Sequence, residues 1–313
     1  MENFLFKHLF IIYIMFILHS KSAIPTYLLD NIEQNLNAKN LKFLKNDNGE
    51  NFVKFAEINL RQQSNFDQQI IPLLLNENSS RSGNKLSWAF LPENKNFDDF
   101  KLFAFDMDST LITCECIDEL ADFAGCKDRV AQITEEAMQG KLSYPQSLRK
   151  RLHLLAGLDS NILQKVYQQR IHLQVGIEFL LKQIHNFGLR SVILSGGFTY
   201  FTERLRIEYG FDFATSNELE IIGGKITGNV LGEIIDAQVK QQTLQNLANQ
   251  WNINLQNVMV FGDGANDLAM MKIAGLSVGI FAKVSVQKYA DVIINDNNQG
   301  HKLLFEFFKI SNL

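Results

Sequence analysis

Several things are scarce in this sequence. Among 313 residues there are 4 prolines and 19 glycines, too few for collagen or for proline-rich spacers. The three cysteines, Cys114, Cys116 and Cys126, are odd in number and sparse, so they are no disulfide framework. A Cys-x-Cys pair alone offers too few ligands for zinc, and reduced thiols are expected. Basic residues are not in excess: 30 Lys and Arg face 34 Asp and Glu, a net charge of −4, so nothing points to nucleic acid. The apolar run at residues 9–18 (LFIIYIMFIL) is too short to span a bilayer as a helix. It has the length of a signal-peptide core, with Lys7 before it and the small residues Ser20 and Ser22 after it. Export or membrane attachment through residues 1–22, a buried strand or helix, and a start at Met15 are its three readings. What is plentiful is apolar: 46% hydrophobic against 20% charged residues, a globular composition with room for one large domain or two ordinary ones.

Residues 1–98 form an N-terminal region rich in Asn, Gln and Lys and without a motif that carries chemistry. A second region is read over residues 99–313, and the character changes at Lys101. Short apolar runs at 101–105, 191–194, 257–261, 276–280 and 291–294 are bounded by Gly or polar residues, as buried parallel strands are. Helical patterns lie between them, at 176–187, 199–209, 239–251 and 266–274. Strands alternating with helices predict an α/β fold with a doubly wound parallel sheet. Residues 218–230, with Gly223-Gly224 in the middle, predict a hairpin. A crossover needs only a dozen or so residues, so the helical stretch at about 117–174 predicts a small cap inserted after the first of these strands. Such additions often serve as lids.

Open α/β sheets bind ligands at the carboxyl ends of their strands, and three of these ends are unusual. Asp106 and Asp108 in Asp106-Met107-Asp108-Ser109-Thr110 place two carboxylates where they repel unless a cation is shared; an acidic turn with a Ser or Thr cap is the plainer alternative. Ser195-Gly196-Gly197 offers a hydroxyl and two permissive amides before a helix, an anion site or only a tight turn. Gly262-Asp263-Gly264-Ala265-Asn266-Asp267 adds two carboxylates and an amide, hard oxygen ligands that suit Mg2+, or simply a capped turn. Together they suggest phosphoryl transfer through an aspartyl-phosphate, with Lys240 supplying a cation.

In order along the chain, Asp106-x-Asp108-Ser-Thr, Ser195-Gly-Gly, Lys240 and Gly262-Asp263-Gly264-Ala-Asn266-Asp267 resemble the four motifs of the haloacid dehalogenase superfamily of phosphatases. The likeness covers residues 100–294 and extends into the cap, through AFDMDSTLITCECIDELA and EEAMQGKLSYPQSLRKRLHLL, where it is similar to members acting on O-phospho-L-serine. The resemblance implies a Rossmann-like sheet, Asp106 as nucleophile and Asp108 as general acid and base. It implies Mg2+ held by the Asp106 carboxylate, the Met107 carbonyl and Asp263, with Asp108 and Asp267 in the acidic set around the metal. Ser195, Gly196, Gly197, Lys240 and Asn266 would bind the phosphoryl group. In the cap, Glu115 would meet a substrate ammonium, Arg151 its carboxylate, and Met138 and Tyr144 would be apolar contacts, although Phe is commoner at the Tyr144 position. The stretch after Gly279 departs from the usual pattern, with no proline after Lys283.

The activity so implied is Mg2+-dependent hydrolysis of O-phospho-L-serine, the last step of serine biosynthesis, on a small-molecule phosphomonoester with no nucleic acid and no membrane. Phosphohomoserine or phosphothreonine is the rival substrate class, and a phosphorylated receiver the rival function. Asp108 and the long insert favour turnover over storage. The implied role favours the cytoplasm, with export through residues 1–22 as the alternative. A regulatory or homodimerising role for residues 1–98 stays open.

Overall fold

The computed structural model describes residues 13–36, 39–45, 49–59, 70–79, 85–92 and 95–311. In it the early apolar run enters a sheet. Tyr13–Ser20 is a strand, β1, with Phe16, Ile17 and Leu18 fully buried; residues 9–12 lie outside the described residues. Helix α1 (Thr26–Leu36), β2 (Lys39–Lys45), β3 (Asn51–Asn59), α2 (Ile71–Ser79) and β4 (Ser87–Pro92) follow. β1 pairs antiparallel with both β3 and β4, and β2 with β3. Among the described residues, no helix is long and apolar enough to cross a membrane.

Next comes β5 (Leu102–Phe105), then four helices outside the sheet: α3 (Cys116–Phe123), α4 (Lys127–Met138), α5 (Tyr144–His153) and α6 (Asn161–Arg170). Ser143 caps α5 with a side chain that accepts from Gln146 N–H, and Pro145 sits in its first turn, where a missing N–H costs nothing. The chain continues through α7 (Ile177–Asn186), β6 (Arg190–Phe198), α8 (Thr199–Tyr209), β7 (Phe213–Ile222), β8 (Lys225–Leu231), α9 (Ala237–Gln250) and β9 (Val258–Gly262). It ends with α10 (Leu268–Ile273), β10 (Leu276–Ile280), α11 (Val284–Gln287), β11 (Val292–Ile294) and α12 (Lys302–Ser311).

The strands form one sheet in the order β2-β3-β1-β4-β11-β10-β9-β5-β6-β7-β8. From β11 to β7 every neighbouring pair is parallel. From β5 the chain winds to β6 and β7 on one side, then crosses to β9, β10 and β11 on the other. The winding reverses between β5 and β9, and the crevice at their carboxyl ends is where such sheets bind ligands. Alternation along each strand feeds two cores: Phe103, Phe105, Ile193, Met259 and Phe261 pack on one face, and Leu102, Ala104, Val192, Val258 and Val260 on the other.

Three features differ in detail from the sequence reading. The boundary at residue 98 does not interrupt the sheet, because β4 pairs with β11 through Ala89 and Val292 and through Trp88 and Ile293. The strand that leads into the hairpin starts earlier than residue 218: the first part of β7, Phe213 to Thr215, runs parallel to β6, and the antiparallel pairing with β8 begins where the hairpin was read, at Glu218 opposite Leu231. The helix read at 266–274 is split into a tight turn at Ala265–Asp267 and α10.

The cap leaves and re-enters the core through two connectors lying side by side. Ile112 and Leu173 form a bridge, Thr113 N–H donates to His172 C=O at 2.9 Å, and Gln174 N–H to Leu111 C=O at 2.8 Å. The cap also rests on β8, where Gly157 N–H donates to Ile226 C=O at 2.8 Å.

Candidate active site

Asp106 is the first residue beyond β5, and its N–H donates to Phe261 C=O at 3.0 Å, continuing the pairing with β9. The carboxylate is 3% exposed. Its Oδ1 accepts Met107 N–H at 2.8 Å and lies 2.9 Å from Lys240 Nζ; its Oδ2 accepts from Asn266 Nδ2 at 3.0 Å. The Met107 carbonyl, expected beside a metal, accepts Leu111 N–H at 2.9 Å and Ile112 N–H at 3.1 Å and is committed to the turn.

That turn brings Glu115 back over the site. Ser109 has a φ of +58°, a left-handed conformation that a non-glycine residue rarely adopts. Its N–H donates to Cys114 C=O at 3.2 Å and its hydroxyl to Glu115 Oε1 at 2.8 Å. Asp108 Oδ1 accepts Cys116 N–H at 3.0 Å at the start of α3. Burial pushes the Asp108 carboxyl well above the usual carboxylate range, with Glu115 and Asp106 adding to the effect. Burial also raises Glu115, against the Ser109 hydrogen bond.

Lys240, on α9, is 1% exposed and also bonds Asp267 Oδ1 at 2.8 Å. Burial alone would lower its pKa, but Asp106 and Asp267 overcome this and raise it, so the ammonium stays charged. Asp267 is fully buried and is pushed up to about 8 by burial and then by Asp106, with Lys240 opposing. Asp263 follows β9; burial raises it while Lys283 Nζ, 3.1 Å from its Oδ2, counteracts.

At the end of β6, Ser195 Oγ accepts Gly197 N–H at 2.9 Å. Glycine suits the close packing of this turn. A Cβ on Gly196 would overlap the Tyr144 hydroxyl, and one on Gly197 would lie 2.6 Å from Met107 Cε and 2.8 Å from Asp108 Oδ2. The Gly196 carbonyl accepts from the Tyr144 hydroxyl at 2.8 Å and from Asn217 Nδ2 at 2.7 Å.

These groups surround a cavity of about 130 Å³ between sheet and cap. Asp106, Asp108, Asp263, Asn266, Gly196 and Gly197 line it from the core, and Glu115, Tyr144 and Arg151 from the cap side. Ser195, Lys240 and Asp267 are buried behind that lining. Met138 is placed away from the cavity, and Asp108 lines it without joining the acidic cluster. Met138, at the end of α4, is 69% exposed and does not line the cavity. Asp108 is outside the acidic cluster: ligand oxygens of Asp106, Asp263 and Asp267 lie within 4.8 Å of one another, while Asp108 faces Cys116 and Gly197. Two further residues belong here. Asn217, 1% exposed, also accepts Ile235 N–H at 2.9 Å and so ties the glycine turn to the approach to α9. An asparagine inside a strand is disfavoured, and that was its sequence signal. Lys283 lines the cavity beside Asp263.

The charge balance bears on a metal. Among the described residues, Asp106, Asp108, Glu115, Asp263 and Asp267 face three cations, Lys240, Arg151 and Lys283. A bound cation would ease the repulsion among these carboxyls and the entry of an anionic ligand. Three converging carboxylates with no Cys or His suit a hard divalent cation such as Mg2+, and Asp106, Asp263 and Asp267 are the residues that would hold it.

The haloacid dehalogenase-like hydrolase family matches residues 103–272. A phosphoserine phosphatase from Polaromonas sp. is 46% identical over 216 residues, covering 67% of this chain and 91% of that protein. A crystal structure of a HAD family hydrolase from Salmonella enterica serovar Typhi superimposes with a TM-score of 0.79 at 30% identity, covering 93% of this chain and 97% of the other. A structure described as a phospho-aspartyl intermediate analogue of phosphoserine phosphatase matches with a TM-score of 0.61 at 39% identity, covering 67% of this chain and 98% of the other.

Proposed function

The chain belongs to the haloacid dehalogenase-like hydrolase family, and from that premise we propose that it hydrolyses O-phospho-L-serine to serine and phosphate, with Mg2+, through a phosphorylated Asp106. The observation that carries the substrate choice is the pairing of Glu115 and Arg151 around the cavity that contains Asp106. A phosphate-binding floor is common to every phosphomonoesterase, so discrimination falls to groups reading the far end of the substrate. A carboxylate and a guanidinium around a cavity this small suit a zwitterion, and the planar fork of Arg151 can grip a carboxylate by two hydrogen bonds. The names of the similar phosphoserine phosphatases agree with this reading.

The division of labour follows from the surroundings of each group. Asn266 and Lys240 orient the Asp106 carboxylate, which attacks phosphorus as the bond to the serine oxygen breaks. Asp108, whose carboxyl is pushed up by burial, is placed to donate a proton to the leaving oxygen and then to take one from the water that cleaves the aspartyl-phosphate. Lys240 and the Ser195–Gly197 turn meet charge spread over the phosphoryl oxygens. Bound Mg2+ would supply the remaining positive charge at this site. The cap shields the site from bulk water. In this role the enzyme completes serine biosynthesis.

Phosphate release from phosphoserine, phosphothreonine, phosphohomoserine and an aryl phosphate tests the substrate, with phosphoserine expected to lead in kcat/KM by at least about tenfold. Asp106→Asn should bind substrate yet form no phosphoprotein, and near-normal turnover by this variant would overturn the nucleophile assignment.

A further inference from the structure

Away from the active site, three side chains from distant parts of the chain converge: His19 near the end of β1, Glu50 just before β3 and Asp296 just after β11. One ligand atom from each lies within 4.8 Å of the others. His19 is 0% exposed and Asp296 3%. His19 Nε2 is 3.7 Å from Glu50 Oε2, close to the roughly 3.4 Å that separates two ligands held about 2.1 Å from a tetrahedral ion. Neither ring nitrogen of His19 has a hydrogen-bond partner. Buried polar groups are nearly always satisfied, so an imidazole aimed at two carboxylates without a bond points to a missing ligand. We propose that His19, Glu50 and Asp296 form a second metal site, distinct from the catalytic one, that takes a divalent transition ion of the Zn2+ class and clamps the N-terminal strands to the catalytic sheet.

The donor set selects the ion. An imidazole with two carboxylates suits Zn2+ and its neighbours, whereas an all-oxygen set such as Asp106, Asp263 and Asp267 suits Mg2+. A ligating histidine must be neutral, and His19 is fully buried in a setting that offers its ring no hydrogen-bond partner. The surroundings fix the carboxylates. Asp296 Oδ1 accepts Asn298 N–H at 2.7 Å and Gln299 N–H at 2.9 Å, and Gln299 Nε2 donates to Glu50. Lys21, 39% exposed, lies 3.1 Å from Asp296 Oδ1. Among the described residues it is the cation facing the cluster, and its reach to solvent lets it yield to a bound ion. An ion here would join β1, the approach to β3 and the end of β11, tying both ends of the sequence to one point.

The test uses the full chain, stripped of metal and then held in saturating Mg2+ so that the catalytic site is filled, and titrated with Zn2+. One equivalent of Zn2+ should remain bound after gel filtration, and the thermal midpoint should rise with Zn2+. His19→Asn and Asp296→Asn should each weaken Zn2+ binding at least about tenfold while Mg2+-dependent phosphate release persists. Glu50→Gln, at a partly exposed position, gives the same readout if the buried variants do not fold. No Zn2+ retained by the wild-type protein under saturating Mg2+, or retention unaltered by the folded variants, overturns the proposal.

Discussion

Tyr144 and Gly196 join the cap to the Ser195–Gly197 turn: the tyrosine hydroxyl donates to the glycine carbonyl at 2.8 Å across 52 residues of sequence. Burial pushes that hydroxyl up to about 12, so it stays a donor throughout the working pH range. The same carbonyl is shared with Asn217, so cap closure and turn geometry meet at one oxygen.

Because Asn217 keeps the carbonyl bonded, Tyr144→Phe should cost little. A net hydrogen bond contributes about 0.5–1.5 kcal/mol, so kcat/KM should fall by no more than about tenfold. Tyr144→Ala should cost more by opening the cavity wall. Steady-state kinetics of the two variants checks this, and equal losses would mean that the hydroxyl, not the ring, does the work.

Lys240→Met leaves two buried carboxylates without their cation. Removing one partner of a buried ion pair typically costs about 3–5 kcal/mol, so the urea midpoint should drop. Loss of a group facing the transition state should lower kcat by about 10²–10³. A variant of wild-type stability would show that Asp267 simply takes up a proton in place of the pair.

Arg151→Ala should discriminate between substrates. Truncating one member of a buried charge pair costs about 2–5 kcal/mol, and that loss should appear with phosphoserine and not with an aryl phosphate, which has no carboxylate. Arg151→Lys should recover part of it, since an ammonium lacks the planar fork. Parallel losses on both substrates would move Arg151 from substrate reading to support of the cap.

Chelation followed by dialysis should abolish phosphate release, and Mg2+ should restore it without a change in circular dichroism. Asp263→Asn should raise the Mg2+ concentration needed for half-maximal activity by at least about tenfold. Full turnover in chelator would remove the metal from the reaction.

The acidic residues at strand ends were legible because Asp106 and Asp263 each interrupt an apolar run at a carboxyl end, and the helix after Ser195-Gly196-Gly197 is as read. Lys240 and Arg151 had no local signal, since each is an ordinary helical cation until the fold turns it inward; only the family motifs singled them out. Met138 misled for the converse reason: α4 buries Val130 but leaves its last turn in solvent. The first half of β7 was hidden because Phe213-Ala214-Thr215-Ser216 is only partly buried and lacks an apolar run. At residues 9–18, apolarity alone could not separate a signal core from a strand, and for residues 13–18 the distinction comes from pairing with β3 and β4, which no local window contains.

The seam between β4 and β11 imposes an order of events on the newly made chain. Residues 13–92 leave the ribosome first, yet the free edge of β4 waits for β11, and Asn295 N–H reaches Ser87 Oγ only across 208 residues. Throughout synthesis that edge exposes unpaired backbone groups beside apolar Trp88 and Phe90, a template on which a second nascent chain could add a strand. β11 is therefore the strand that seals the edge of β4, and a chain stalled before residue 292 presents the sticky edge that the finished protein conceals.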